Sequence, residues 1–241
     1  MKVSIVIPAF NEEKLLPATL RAVQEALPGF TTRGWTAEVV VCDNNSTDRT
    51  SEVARAAGAQ VVFEPVNQIG RARNTGAAAA TGDWILFIDA DSRPDRALFA
   101  AAAAEAESGR SVAVGTTVRL DSGGWVVNAL AGVWNRISRI SRMLAGSFIL
   151  VNRDVFRQVG GFSADLFAAE ELDLTRRLKA VARERGQRVV ILHRTPLETS
   201  GRKAELYSGW ELTVFAVKSI LRPFSTLTRR EACSPWYDGR R

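Results

Sequence analysis

The sequence predicts a single α/β domain, a mostly parallel mixed sheet flanked by helices. Three observations predict it. Strand-length apolar runs alternate with helix-periodic stretches from the N-terminus onward, the pattern of helices packed on the faces of a sheet. The 241 residues are enough for one substantial domain. A content of 46% hydrophobic and 24% charged residues is that of an ordinary globular chain, which excludes disorder, a collagen-like repeat and a disulfide scaffold.

Val3–Ile7 is an unbroken apolar run of strand length that stops at Pro8. Leu16, Leu20, Val23 and Leu27 form a helical stripe, and Pro17 fits only in the first turn of that helix. Glu38–Cys42 is a second strand, followed by a helix capped by Thr47 or Asp48 and running to Ala57. Gln60–Phe63 is a short strand, Arg71–Ala80 a helix, and Trp84–Ile88 a strand that runs into Asp89 and Asp91. Pro94 is expected to start an alanine-rich helix. Val112–Val118, Phe148–Val151 and Arg188–Leu192 are further strands; Trp125–Met143, Asp154–Val159 and Ala169–Arg185 are further helices. Tyr207–Leu221 is a last amphipathic helix, stopped by Pro223. Residues 1–110 and 111–200 make two halves of the domain, and residues 201–241 a basic helical extension packed on it.

The net charge of +6 is unevenly spread. Residues 1–180 carry 20 Lys+Arg and 20 Asp+Glu, whereas residues 181–241 carry 12 and 6. A basic excess suits nucleic acid, an anionic membrane or a phosphorylated substrate. The basic residues lack the interleaved aromatics of a nucleic-acid module, so nucleic acid is not an expected partner. Cys42 and Cys233 make neither a disulfide framework nor a metal-ligand spacing, which points to a reducing cytoplasm. No apolar run approaches the roughly 18 residues needed to cross a bilayer.

In open α/β sheets, ligands bind beyond the carboxyl ends of the strands. Three of those ends carry acids and amides: Pro8-Ala-Phe-Asn-Glu-Glu13, Asp43-Asn-Asn-Ser-Thr-Asp48 and Asp89-Ala-Asp91. One such end is usually a cap or turn; three together indicate a site. Asp89 and Asp91 would repel each other unless a cation neutralised them, and hard oxygen ligands favour Mg2+ or Mn2+. The competing explanations are a solvated loop with Asp91 as helix cap, a capped turn over 43–48, and a solvated helix face for Arg71 and Arg73.

These segments resemble the family 2 glycosyltransferases, enzymes with the GT-A nucleotide-sugar fold. The resemblance rests on Ser4-Ile-Val-Ile-Pro-Ala-Phe-Asn-Glu-Glu13, Val40-Val-Cys-Asp-Asn-Asn-Ser-Thr-Asp-Arg-Thr50, Gly70-Arg-Ala-Arg-Asn-Thr-Gly76 and Gly82-Asp-Trp-Ile-Leu-Phe-Ile-Asp-Ala-Asp91. It continues through Gly160-Gly-Phe162 and Glu170-Glu-Leu-Asp-Leu174. The resemblance implies metal-dependent transfer of a sugar, with inversion, from a nucleoside-diphosphate sugar to an acceptor hydroxyl. Pro8, Phe10 and Glu12 match the segment that lines base and ribose, Asp43 the acid that reads the base, and Arg73 an arginine near the nucleotide. Asp89 and Asp91 match the DxD motif that holds the metal and the ribose-diphosphate.

Glu171 aligns where many relatives have the aspartate that serves as general base. Glutamate does the same proton chemistry with one methylene more of reach. The exchange leaves the base open among Glu170, Glu171 and Asp173, with Glu171 the preferred choice. Two of the three are then helix N-terminal charges favoured by the macrodipole. His193, the only histidine, follows the strand Arg188–Leu192 and is a candidate extra metal ligand; a surface histidine is the commoner outcome. Trp125 and Trp134 are the candidates for stacking on an acceptor sugar.

Arg202 and Lys203 are candidates for contact with the donor diphosphate or an acceptor phosphate. Trp125–Met143 and Tyr207–Leu221 mix apolar residues with Arg136, Arg139, Arg142 and Lys218, as helices on an anionic membrane do. That pattern fits a lipid-linked acceptor at the inner face of the plasma membrane; packing on a sheet edge is the alternative. The rival activities are a sugar-phosphate nucleotidyltransferase and a non-catalytic nucleotide-sugar binding protein. The first would need a glycine-rich basic loop where this chain has Pro8-Ala-Phe-Asn-Glu12.

Overall fold

The computed structural model describes residues 1–122 and 124–201, together with Thr228. Arg202, Lys203, the helix expected over Tyr207–Leu221 and the terminal arginines lie outside the described residues. The first half runs β1 (Lys2–Ala9), α1 (Leu16–Ala26), α2 (Pro28–Thr31), β2 (Thr36–Asp43), α3 (Thr50–Ala56), β3 (Gln60–Phe63), α4 (Ile69–Ala79), β4 (Trp84–Ile88), β5 (Ser92–Arg93) and α5 (Arg96–Glu107). The second half runs β6 (Ser111–Leu120), α6 (Trp125–Ser141), β7 (Phe148–Asn152), α7 (Arg153–Gln158), α8 (Glu170–Glu184) and β8 (Arg188–Thr199).

These strands make one sheet in the order β3-β2-β1-β4-β7-β6-β8-β5. The neighbours β3, β2, β1 and β4 run parallel, while β7 enters antiparallel between β4 and β6. The mixed α/β sheet expected from the alternation is therefore present. It also crosses from one half of the chain to the other without a break. Because side chains alternate across a strand, β1 sends Val3, Ile5 and Ile7 to one core and Val6 to the other. β4 does the same, with Trp84, Leu86 and Ile88 on one side and Ile85 and Phe87 on the other. The first core is closed by α1, α2 and α5, through Leu16, Leu20, Phe30, Leu98 and Phe99. The second is closed by α4, α7 and α8, through Ala77, Phe156, Leu174 and Leu178. Among the described side chains, α6 gives none to either core.

Local chemistry sets the boundaries. Pro17 sits in the first turn of α1 as expected. The N-cap of α3 is Arg49, neither Thr47 nor Asp48, although Asp48, one residue before it, accepts the Thr50 N–H on Oδ1 at 3.0 Å. The alanine-rich helix does not start at Pro94. Asp95 is its N-cap, accepting the Leu98 N–H at 2.7 Å, because a carboxylate just before the first turn satisfies a backbone donor that has no partner within the helix. Gly76 lets α4 press on β1, since a Cβ there would lie 2.4 Å from Val6 Cγ1. β8 runs on past Leu192 to Thr199, with a register shift opposite Thr116 and Val118. That extension carries Thr199 to Ser92 of β5 and closes the sheet over the end of β4.

Candidate active site

The strand ends meet as the sequence suggests. Pro8 pairs with Cys42 and Ala9 with Asp43 in the β1–β2 register, so the segments after these strands leave side by side. They interlock through backbone and side chain. Asn11, at φ 52°, accepts the Thr47 N–H on Oδ1 at 2.8 Å and donates its own N–H to Ser46 Oγ at 3.0 Å. The Glu12 N–H donates to Thr50 Oγ1 at 2.8 Å, and Phe10 is half-buried just before it. Asp43 is buried, with Oδ1 accepting the Ser46 N–H at 2.9 Å and Oδ2 accepting the Ser51 hydroxyl at 2.5 Å. It therefore holds the turn that shapes this end of the cleft, as the capped-turn alternative expects. Asn44, given no role of its own in the sequence, donates to the Glu64 and Val66 carbonyls and accepts the Gln68 N–H at 3.0 Å. Gln68 in turn donates from Nε2 to the Ala164 and Leu166 carbonyls, both at 2.8 Å.

Arg73 is the centre of the arrangement. It is 2% exposed, so the solvated-face alternative does not hold for it. Arg71, two residues earlier, is exposed. Arg73 Nη2 donates to Asp89 Oδ1 at 2.9 Å and to the Gly146 carbonyl at 3.1 Å; Nη1 donates to Glu170 Oε1 at 2.6 Å. Burial works against the guanidinium charge, and the carboxylates of Asp89 and Glu170 outweigh it and hold the proton more tightly than usual. The ring of Phe162 lies under it, 5.2 Å from Cζ to centroid. One arginine from α4 thus ties the end of β4 to the start of α8.

The three acids at the start of α8 have three different situations. Glu170 is buried on Arg73. Asp173 pairs with Arg177 at 2.7 Å and Arg176 at 3.1 Å, which overcome its partial burial and hold its carboxyl below the usual range. Glu171 has no salt-bridge partner among the described residues. Burial pushes its carboxyl well above the usual range, the Glu170 charge adds to the push, and Arg73 opposes it. Ala169, at φ 60°, turns the chain into α8 and sets these directions.

A cavity of about 270 Å³ gathers Arg73, Asp89, Asp91, Trp134, Glu170, Glu171 and Thr199. The DxD pair and the candidate base therefore face one space. Its floor is braced by the Gly160-Gly161-Phe162 turn. Asn74 bonds both the N–H and the carbonyl of Phe162, at 2.9 and 2.8 Å. A Cβ on Gly161, at φ +69°, would lie 2.6 Å from Asn74 Oδ1.

His193 is not brought to this cavity. It is exposed on the irregular part of β8 and lines a second cavity with Arg136, Arg139 and Arg142. The β8 end that does reach Asp91 carries Thr199, whose hydroxyl is 3.5 Å from Asp91 Oδ1, and Ser200, whose N–H donates to the Asp91 carbonyl at 3.2 Å. Trp134 lines the active cavity, whereas Trp125 is 82% exposed and does not. Among the described residues no cluster of three or more His, Cys, Asp or Glu side chains gathers to hold a metal alone. Two hard carboxylates on one cavity fit Mg2+ or Mn2+ shared with substrate phosphates and water, the usual binding mode of such ions.

A strand-end cleft with paired aspartates, facing an acid on a helix start, belongs to the class of open α/β folds that bind ligands beyond the carboxyl ends of their strands. The same architecture is found in the mannosyltransferase PcManGT from Pyrobaculum calidifontis, solved with GDP-Man and Mn2+. It superposes with a TM-score of 0.69 at 20% identity, covering 98% of this chain and 68% of that one. Glucosyl-3-phosphoglycerate synthase from Mycobacterium tuberculosis, solved with Mn2+, UDP-Glc and phosphoglyceric acid, gives 0.62 at 23% identity over 90% and 79%. Residues 4–160 match the description of Glycosyl transferase family 2, and the chain belongs to that family. An uncharacterized glycosyltransferase of Mycobacterium tuberculosis is 41% identical over 113 residues, 47% of each chain. The chain thus spans about half the length of this curated relative.

Proposed function

We propose that the protein transfers a sugar from a nucleoside-diphosphate sugar to an acceptor hydroxyl, with inversion at the anomeric carbon. The observation that carries this reading is the Arg73 tie, which faces Asp89 and Asp91 toward Glu171 across one cavity. Family membership supports it and disfavours the nucleotidyltransferase alternative.

Base and ribose lie along Pro8, Phe10, Glu12 and Asp43, and the diphosphate lies toward Asp89 and Asp91. Asp89 and Asp91 are the residues that would hold a divalent cation, Mg2+ or Mn2+, which would supply positive charge against the leaving phosphate. Glu171 accepts the acceptor hydroxyl proton as its oxygen bonds the anomeric carbon and the carbon–oxygen bond to phosphate breaks. A carboxylate made more basic by burial is suited to that task near neutral pH. Glu170 and Asp173 do not compete for it, because each is committed to arginine. Arg73 keeps the cavity's acids from repelling one another before substrate arrives. Trp134 offers an aromatic wall to the acceptor. A lipid-linked acceptor, met at the inner face of the plasma membrane, is the finer form of this proposal. No helix of the described residues is long and apolar enough to cross a membrane.

Release of UDP or GDP from a panel of nucleotide sugars, with and without EDTA, tests the reading. Metal-dependent hydrolysis of at least one donor is expected. Absence of it across the common donors would remove the proposal.

A further inference from the structure

Helix α6 is unlike the other long helices. Among the described side chains it contributes none to either core, yet it exposes a run of large apolar side chains: Leu130 61%, Val133 57%, Ile137 49% and Ile140 77%, with Trp125 82% at its start. At 100° per residue, Leu130, Val133, Ile137 and Ile140 fall on one narrow stripe, with Arg136 at one edge of it and Arg139 further round on the same side. The helix is held from its other side. Asn135 bonds the backbone of Val118 on β6 at 2.8 and 2.9 Å, Ser138 is fully buried, and Lys179 of α8 donates to the Ser141 carbonyl. The stripe therefore faces out because the helix is pinned that way.

Beside the stripe lies a cavity of about 590 Å³ lined by Arg136, Arg139, Arg142, Arg188 and His193 over Ile140, Val189 and Ile191. Only Arg188 among these arginines has a carboxylate partner in the described residues, Glu105 at 3.3 Å. Positive charge is in excess around it: the Lys179 ammonium is lowered by burial and by the neighbouring Arg183 and Arg142 charges. Apolar side chains beside arginines without a carboxylate partner, around an opening with no acid in its lining among the described residues, form a surface complementary to an amphiphile with a phosphate head.

We propose that α6 and this basic cavity form a docking site for an anionic phospholipid surface, the stripe entering the interface while lipid phosphates meet the arginines. Charge complementarity selects this occupant over a second copy of the chain, which would bring the same arginines against themselves. Trp134 of the same helix lines the active cavity, so docking sets that cavity at the membrane. This last step alone rests on the transferase reading.

The test is co-sedimentation of the full chain with phosphatidylcholine vesicles, with and without about a third phosphatidylglycerol. Binding to the anionic vesicles only, falling as salt rises, is expected. Arg136→Gln with Arg139→Gln is expected to lower the bound partition about thirtyfold, roughly a factor of five per interfacial charge. Leu130→Glu with Ile137→Glu is expected to abolish it, with circular dichroism and vesicle-free donor hydrolysis unchanged. No binding of the wild type at moderate salt overturns the proposal, as does equal binding by all variants. Saturable binding of inorganic phosphate without vesicle partition also overturns it, in favour of a soluble anion. Loss of a dimer in sedimentation velocity, without vesicle binding, overturns it in favour of self-association. Donor hydrolysis without vesicles scores the transferase reading separately.

Discussion

Replacing Arg73 with methionine keeps most of the side-chain volume and the packing on Phe162 but removes the guanidinium. The cost is set by its partners. Glu170 keeps only 5% of its side-chain surface exposed, so without Arg73 it is a buried charge with no counterion. Breaking one partner from a buried ion pair costs about 3–5 kcal/mol. Asp89 retains 24% exposure, so water recovers most of its loss. The Gly146 carbonyl loses a donor, worth about 1 kcal/mol. About 5 kcal/mol is expected in all, which at a urea dependence near 3 kcal/mol/M lowers the unfolding midpoint by roughly 1.7 M. The assay is urea unfolding followed by fluorescence and far-UV circular dichroism. The companion variant R73M/E170Q removes the stranded charge and is expected to recover about half of the loss. A single-variant shift below about 0.3 M, or a double variant no better than the single, would refute the claim that Arg73 works by neutralising Glu170.

Four further outcomes are expected. Glu171→Gln lowers turnover by about 10²–10⁴ with little change in donor binding, measured as nucleotide release and by thermal shift with UDP or GDP. Asp173→Asn leaves turnover largely in place and lowers stability instead, because its carboxylate serves Arg176 and Arg177. Gly161→Ala strains a left-handed backbone position and meets Asn74, so it destabilises by roughly 1–3 kcal/mol in the same urea assay. Glu38 gives an acid-side test. Burial would raise its carboxyl, but bonds from Lys2, Ser4 and Thr81 overcome burial and hold it at about 2, below the ordinary 4.5. A depressed carboxyl contributes stability above its unfolded value and loses it as pH falls through the folded one. Glu38→Gln is therefore expected to destabilise near neutral pH, with the difference shrinking from about pH 4.5 down to about pH 2. A constant difference across that range would contradict the assignment.

The sequence alone determined most of the strand and helix plan and the chemical ends of the strands. Apolar period and length are local properties, so β1, β2, β4, α1 and α8 were legible within a few residues. The DxD pair and the family were legible because loop chemistry at strand ends is written in short contiguous segments. Pairing across long separations was not legible. The antiparallel entry of β7 next to β4 leaves no local mark, since a buried strand has the same composition in either direction. The two residues of β5 and the four of α2 are too short to show a period. Asn44, Gln68 and Asn74 are neutral amides in loops and helices, and only folding shows which backbone they satisfy.

The same division holds at the site. Sequence narrowed the proposed base to Glu170, Glu171 and Asp173; the long-range placement of Arg73 on Glu170, beside the local pairs of Asp173 with Arg176 and Arg177, gives the three acids the different surroundings on which the proposal of Glu171 rests. His193 was expected just after a strand ending at Leu192, but β8 continues to Thr199, and His193 lies at its register shift, on the basic cavity instead of beside the aspartates. Charge shows the limit most clearly. Counting places the whole excess in residues 181–241, yet Arg136, Arg139 and Arg142 of the balanced part gather on one face beside Arg188. A sum over sequence is blind to where opposite charges end up, and it is distance in the folded chain that decides whether they cancel.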